Sequence, residues 1–286
     1  MGHEYFQKYR DGHTHTHFCK HGSEERAELY IVEAINKGFR QYSFTEHPPL
    51  PFELTQKIPN GQWLVDELAM SMNELKDYFK ICKELKEKYR EKIDILVGLE
   101  IDFISGMESF TRDLLDSNEL EDGLLSIHFL PGKNGWRCVD YSAEDFHDGL
   151  VKYYGSVEKV YDAYYEMVEE SIDANLGPNK PSRIGHLTLI HKYQHYLKPK
   201  DPDYDKEHIT KILSKIKRNG MELDVNLAGL FQPMCKEMYP PIWVIEEAMN
   251  LGIPLVYGSD SHKVEHVGRG YDYFINIMNK LVMKPF

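Results

Sequence analysis

The sequence predicts an α/β protein whose parallel strands close into a barrel, and three observations predict it. Short apolar runs alternate with amphipathic stretches along the chain, no low-complexity linker interrupts them, and the unusual polar residues fall where the apolar runs end. Strands separated by helices form the signature of a parallel sheet, and about seven or eight such units close most readily into a barrel. A doubly wound open sheet is the alternative. At 286 residues the chain has room for one large barrel or two ordinary domains, and the missing linker favours one domain over 1–286.

The elements follow in order. Strand candidates are 10–15, 41–46 (QYSFTE), 93–101 (IDILVGLEI), 123–129 (GLLSIHF), 183–189 (RIGHLTL), 221–226 (MELDVN) and 253–259 (IPLVYGS). The first helix starts at a Ser23 N-cap, puts Ala27, Tyr30, Ile31, Ala34 and Ile35 on one face, and ends at Gly38. A longer helix spans Asp66 to Tyr89, where Leu68, Met72, Leu75, Phe79, Cys82, Leu85 and Tyr89 recur at three or four. Further helices are expected near Met107–Leu115, Val157–Ala174, Lys206–Arg218, Ile242–Leu251 and Tyr271–Val282.

Composition excludes several functions. A formal net charge of -12 repels phosphate backbones and anionic lipid, so neither nucleic acid nor membrane is the expected partner. Cys19, Cys82, Cys138 and Cys235 form no CxxC pair, which argues against a disulfide framework and suits the cytoplasm. No apolar run approaches the roughly 20 residues that span a bilayer, and MGHEYFQKYR has no signal-peptide core.

Barrel active sites are assembled at the C-terminal ends of strands. There the chain places His13 and His15, then Glu46 and His47, Glu100, His128, His186, and lastly Asp260 and His262, with His21 in the loop after the first strand. His, Asp and Glu without cysteine is the ligand chemistry of catalytic zinc, manganese or iron. Side chains two apart on a strand share a face, so His13 and His15 can grip one ion, and Asp260 and His262 repeat the spacing. Glu100 can bridge two ions about 3.5 to 4 Å apart. Without Glu46 these are nine ligands, which suit three ions rather than one.

The set HTH, TEH, GLE, SIHF, GH and GSDSH resembles the polymerase and histidinol phosphatase (PHP) domain family. Within it, RDGHTHTHFCKHG, SFTEHPPL, FTRDLL, GLLSIHFLPG and VYGSDSH followed by VGRGY resemble the monofunctional histidinol-phosphatase branch. The resemblance implies a distorted (β/α)7 barrel with its metal site at the C-terminal strand ends. It implies one ion on His13, His15, Glu100 and Asp260, a second on Glu100, His128 and His186, and a third on His21, His47 and His262. The three would be divalent, with Zn first and Mn or Fe as alternatives. His17 falls outside the pattern and is expected to be a loop residue.

The implied activity is that of a phosphoric monoester hydrolase acting on a small-molecule phosphate ester, L-histidinol phosphate, to give histidinol and phosphate in histidine biosynthesis. A metal-bridging hydroxide is expected to attack phosphorus, with its pKa lowered from 15.7 toward about 7. Arg183 and Arg269 are candidates for a phosphate clamp because the guanidinium fork matches phosphate. Phe18, Phe52, Phe129 and Phe231 could wall the imidazole, Asn226 could accept from the substrate, and Glu46 could orient His47. Another PHP-type phosphoesterase is the alternative. An amidohydrolase also begins with HxH, but its carboxylate or carbamylated Lys sits on strand four, whereas Glu100 follows strand three. A nonenzymatic metal-binding protein would be expected to have lost ligands. The sequence does not speak to oligomeric state.

Overall fold

A computed structural model describes residues 5–59 and 61–283. Among the described residues nine strands are formed: β1 (Arg10–Asp11), β2 (Gln41–Glu46), β3 (Asp94–Asp102), β4 (Asp122–Ser126), β5 (Phe129–Gly132), β6 (Gly135–Cys138), β7 (Arg183–Ile184), β8 (Glu222–Asn226) and β9 (Leu255–Gly258). Seven of them make one parallel sheet in the order β1-β2-β3-β4-β7-β8-β9, each neighbour following in chain order as a barrel requires. The sheet closes through the segment after β1. Gly12 N donates to Tyr257 O, Asp260 N to His13 O and His15 N to Ser261 O on one side, and Thr45 N to Thr14 O on the other. The open-sheet alternative is thereby excluded. The barrel is distorted, since the β1 and β7 ladders are only two residues long.

Apolar residues on the strands and on the inner faces of the surrounding helices form one continuous core. On the strands it includes Tyr42, Phe44, Ile95, Val97, Leu99, Leu125, Leu223 and Val225, which alternate with the inward polar residues Ser43, Glu100, Ser126 and Asp224 and so face the helices. The helices Lys206–Arg218 and Tyr271–Val282 lie where periodicity predicts them. Among the described residues, no helix is long and apolar enough to cross a membrane.

Three expectations are corrected. The helix predicted over Asp66–Tyr89 is two helices, Gly61–Leu68 and Met72–Tyr89, because Ser71 starts a new one. Its hydroxyl accepts from Glu74 N while Glu74 accepts from Ser71 N, a capping box that satisfies two terminal donors. Ser23 does not cap the first helix, which starts at Ala27; its hydroxyl donates to Glu25 instead. The run 123–129 is not one strand. It turns after Ser126 into an antiparallel hairpin of β5 and β6 that stands outside the barrel, with Asn134 at φ 64 and Gly135 at φ 127 at its tip.

Candidate metal centre

The strand ends bring the predicted polar residues together at one pocket, lined by His21, His47, Glu100, His128, His186, Asp260 and His262, with His13 and His15 fully buried against Glu100. Glu100, on β3 and 1% exposed, is its centre. Its Oε2 lies 3.2 Å from His13 Nε2, 3.4 Å from His15 Nε2 and 3.5 Å from His47 Nδ1. Its Oε1 lies 2.8 Å from His186 Nε2 and 3.8 Å from His128 Nε2. Asp260 Oδ1 approaches the same nitrogens from the other side, 3.2 Å from His15 Nε2 and 3.8 Å from His13 Nε2. His21 Nε2 and His262 Nε2 face each other at 3.0 Å.

The outer faces of these rings are held by a ring of acceptors. His13 Nδ1 donates to Asp224 Oδ2 at 2.8 Å, His15 Nδ1 to Glu46 Oε1 at 3.0 Å and His128 Nδ1 to Asp102 Oδ1 at 2.6 Å. His262 Nδ1 reaches Asp260 O at 3.1 Å, and His21 Nδ1 reaches Glu67 O at 3.3 Å. Such outward bonds fix the tautomer so that Nε2 offers a lone pair inward, as metal-ligating histidines require. Two of these partners, Asp102 and Asp224, escape a reading of strand ends. The alternation that pairs His13 with His15 would have found them, because Asp102 follows Glu100 by two and Asp224 precedes Asn226 by two. Glu46 orients His15 rather than the adjacent His47 expected of it, and it also accepts from Thr16 N and Oγ1.

Backbone choices let these groups approach. A Cβ on Gly185 would stand 2.1 Å from Ser126 Oγ, the hydroxyl that donates to Glu100 Oε1 at 2.7 Å. A Cβ on Gly258 would clash with both His13 Cβ and Asp224 Oδ1. Asp260 adopts the left-handed region at φ 50, a conformation that a short polar residue tolerates. Arg269 braces that turn, its Nε donating to Ser259 O at 2.8 Å and its Nη2 to Asp260 O at 2.9 Å.

The residues fit a divalent cation. His13 Nε2 and His15 Nε2 are buried without a hydrogen-bond partner although carboxylate oxygens stand nearby. Burial pushes the Glu100 carboxyl up, and the neighbouring imidazoles, His13 foremost, outweigh it and hold it well below the usual range. Asp260 behaves alike, against burial, through His13 and His15. Burial, reinforced by His15, pushes His47 and His262 well below the ordinary imidazole value, so they stand as neutral donors. Among the described residues, four groups have all their ligand atoms within 4.8 Å of one another: His13, His15 and Asp260; His13, Glu100 and His186; His47, Asp102 and His128; and His15, Cys19, His47 and His262. The grouping differs from the implied partition in setting His128 beside His47 and in bringing Cys19 among the nitrogens.

The remaining candidates separate. Arg183 is not available as a phosphate clamp. It is fully buried at the start of β7, where its Nη2 donates to Gly12 O at 2.7 Å and pairs with Asp122 Oδ1 at 3.0 Å. Arg269 lies beside the site but spends two of its nitrogens on the backbone. Phe129 lines the pocket, Phe18 packs edge-on against Tyr78, and Phe52 and Phe231 are exposed. Asn226 is turned to Asp260 Oδ2, to which it donates at 3.0 Å. Leu68, Leu189, Cys138 and Asp140 complete the wall opposite the histidines, and of these Asp140, with Lys192 behind it, went unnoticed in the sequence.

Comparisons with known proteins agree with this geometry. The PHP domain model matches residues 11–228 and a PHP-associated model matches 244–281. A histidinol-phosphatase of Bacillus subtilis is 38% identical over 268 residues, covering 93% of this chain and 98% of its own. A candidate histidinol phosphatase of Listeria monocytogenes superposes with a TM-score of 0.89 at 42% identity, over 93% of this chain and 99% of that one. A histidinol phosphate phosphatase of Lactococcus lactis, solved with Zn, L-histidinol and phosphate, shares the fold at a TM-score of 0.73 and 21% identity, over 97% of this chain and 93% of that one. A family model that spans most of the chain, over a barrel whose strand ends carry the family's His, Glu and Asp set, makes the protein a member of the PHP domain family.

Proposed function

We propose that this chain is a metal-dependent phosphomonoesterase that hydrolyses L-histidinol phosphate to L-histidinol and phosphate, in the reducing interior of the cell. The observation that carries the reading is the convergence on Glu100 of histidines from the ends of β1, β2, β4 and β7. The similarity to histidinol-phosphatases over nearly the full chain supports the substrate. Four buried free cysteines suit the compartment, and residues 1–286 are read as one functional unit.

His13, His15, Glu100 and Asp260 would hold one divalent ion, Glu100, His128 and His186 a second, and His21, His47 and His262 a third, Zn before Mn or Fe. Bound ions of this kind supply charge for phosphate oxygens and lower the pKa of an attacking water. The chain's own contribution is arrangement. Glu100 presents one oxygen to each half of the cluster, Asp224, Glu46 and Asp102 aim the imidazoles, and Leu68, Phe129 and Leu189 exclude water from one wall. Among the described residues that line the pocket there is no Lys or Arg, so phosphate charge falls to the ions. That absence, with a net charge of -12, supports a small ester over nucleic acid.

Turnover of L-histidinol phosphate, p-nitrophenyl phosphate, a phosphodiester and a cyclic amide should be compared alongside metal analysis. The reading expects the highest kcat/KM for L-histidinol phosphate and about two to three ions per chain. A preference for the diester or the amide would refute the substrate, and one ion or none would refute the trinuclear site.

A further inference from the structure

We propose that Asp140 is the specificity carboxylate of this pocket, receiving a primary ammonium carried by the substrate next to its phosphate ester. The inference rests on the phosphomonoesterase reading and deepens it.

Four carboxylates line the pocket: Glu100, Asp102, Asp140 and Asp260. Three are committed to the histidine cluster. Glu100 and Asp260 face ring nitrogens at 2.8 to 3.8 Å, and Asp102 Oδ1 accepts from His128 Nδ1. Asp140 is built differently. Its Oδ2 accepts from Lys192 Nζ at 2.9 Å, its Oδ1 from Cys138 Sγ at 3.1 Å, and Lys192 Nζ is itself fixed on Asp140 O at 2.7 Å. A carboxylate offers about four lone-pair positions, so each oxygen keeps one for a donor arriving from the pocket. The side chain is 23% exposed, in contrast to the 1% of Glu100. Burial pushes its carboxyl up, while Lys192 and then His128 outweigh burial and keep it ionised.

Placement assigns the chemistry of the ligand. Asp140 follows β6, so it belongs to the hairpin outside the barrel, which also brings Phe129 and Cys138 to the pocket. The barrel rim thus supplies the groups for phosphate, and the hairpin side supplies a fixed negative charge between apolar surfaces. A cation on a short apolar body, esterified to phosphate within the same small pocket, meets both. Lys192 pairs with this carboxylate from outside the pocket lining, so it holds Asp140 in place without standing between it and the pocket.

The test compares L-histidinol phosphate with its deamino analogue, 3-(imidazol-4-yl)propyl phosphate, in the metal-loaded wild type, Asp140→Asn and Asp140→Glu. Wild type should prefer the amine-bearing ester. Asp140→Asn should raise KM for it about 10- to 100-fold with kcat within about threefold, and impair the deamino ester by a clearly smaller factor. Inhibition by L-histidinol should weaken in parallel, and Asp140→Glu should recover part of both losses. Equal impairment on both esters, or no preference by the wild type, would overturn the assignment, and the wild-type comparison holds even where a variant does not fold. A wild type that cleaves p-nitrophenyl phosphate but neither imidazole ester would instead overturn the substrate reading.

Discussion

The interior of the barrel has two polar layers, and they are built on opposite principles. Toward the start of the strands, Arg10 and Arg183 close on Asp122 at 2.9 and 3.0 Å, and Ser43 donates to the same carboxylate. Toward the strand ends, carboxylates and imidazoles crowd together, with His13 Nε2 and His15 Nε2 buried without a hydrogen-bond partner and His21 Nε2 facing His262 Nε2 at 3.0 Å. Both layers are buried and charged. The lower layer is closed by guanidinium groups set on Asp122 and on Gly12 O, whereas the upper leaves His13 Nε2 and His15 Nε2 without a partner among carboxylates, so burial of charge does not by itself mark a site; unmatched ring nitrogens turned inward do.

That contrast is broken most severely at Glu100. Glu100→Gln keeps the volume and removes the charge that both halves of the upper layer share, so about two ions should leave together and activity should be abolished. Metal analysis of the purified variant decides it, and retention of full metal content would show that Glu100 does not bridge.

The lower layer answers to stability instead. Arg183→Met leaves Asp122 with Arg10 alone, and breaking a buried pair costs about 3 to 5 kcal/mol. Chemical denaturation should show that loss, while kcat/KM of the metal-loaded enzyme stays within about threefold of the parent. A raised KM for phosphate esters at unchanged stability would return Arg183 to the site.

Between the layers stands Asp224, which accepts from His13 Nδ1 and from His186 N at 3.2 Å. Asp224→Asn should weaken metal affinity about 10- to 100-fold by slackening His13, with kcat at saturating metal nearly preserved. Competition with a chelator reads the affinity. An unchanged affinity would mean that Asp224 serves the lower layer only.

What could be read from the sequence follows the range of the signals. His13 and His15, Glu100, and Asp260 were legible because strand alternation and strand-end placement are local rules that survive folding. Arg183 was misplaced because nearness to His186 along the chain says nothing about layer: three strand residues span about 10 Å, enough to cross from one to the other. The hairpin was missed although Lys133-Asn134-Gly135 carries a turn signal, since the expected alternation of strand and helix left no place for it. With the hairpin went Asp140. The division of nitrogens among ions was not legible either, because it depends on ring rotations and on partners from strands more than a hundred residues away, such as Asp224 for His13.

The smallest effect is expected where the motif looks most persuasive. His17 extends the two-residue spacing of His13 and His15, yet the chain stops being extended after His15: Cys19 N donates to Thr16 O at 3.1 Å, and Gly22 N to Cys19 O at 3.1 Å. These turns carry His21 back to His262 and leave His17 half-buried, with its ring 4.4 Å from that of Phe18 and outside every cluster of ligand atoms. Burial lowers its pKa, so at neutral pH it brings no charge to the site. His17→Ala should therefore keep full metal content, change kcat/KM less than about twofold and cost no more than about 0.5 kcal/mol. His21→Ala, four residues on, should lose an ion. If metal analysis instead shows His17→Ala short of an ion while His21→Ala is complete, the turn has been assigned to the wrong histidine and alternation, rather than the loop, governs this corner of the site.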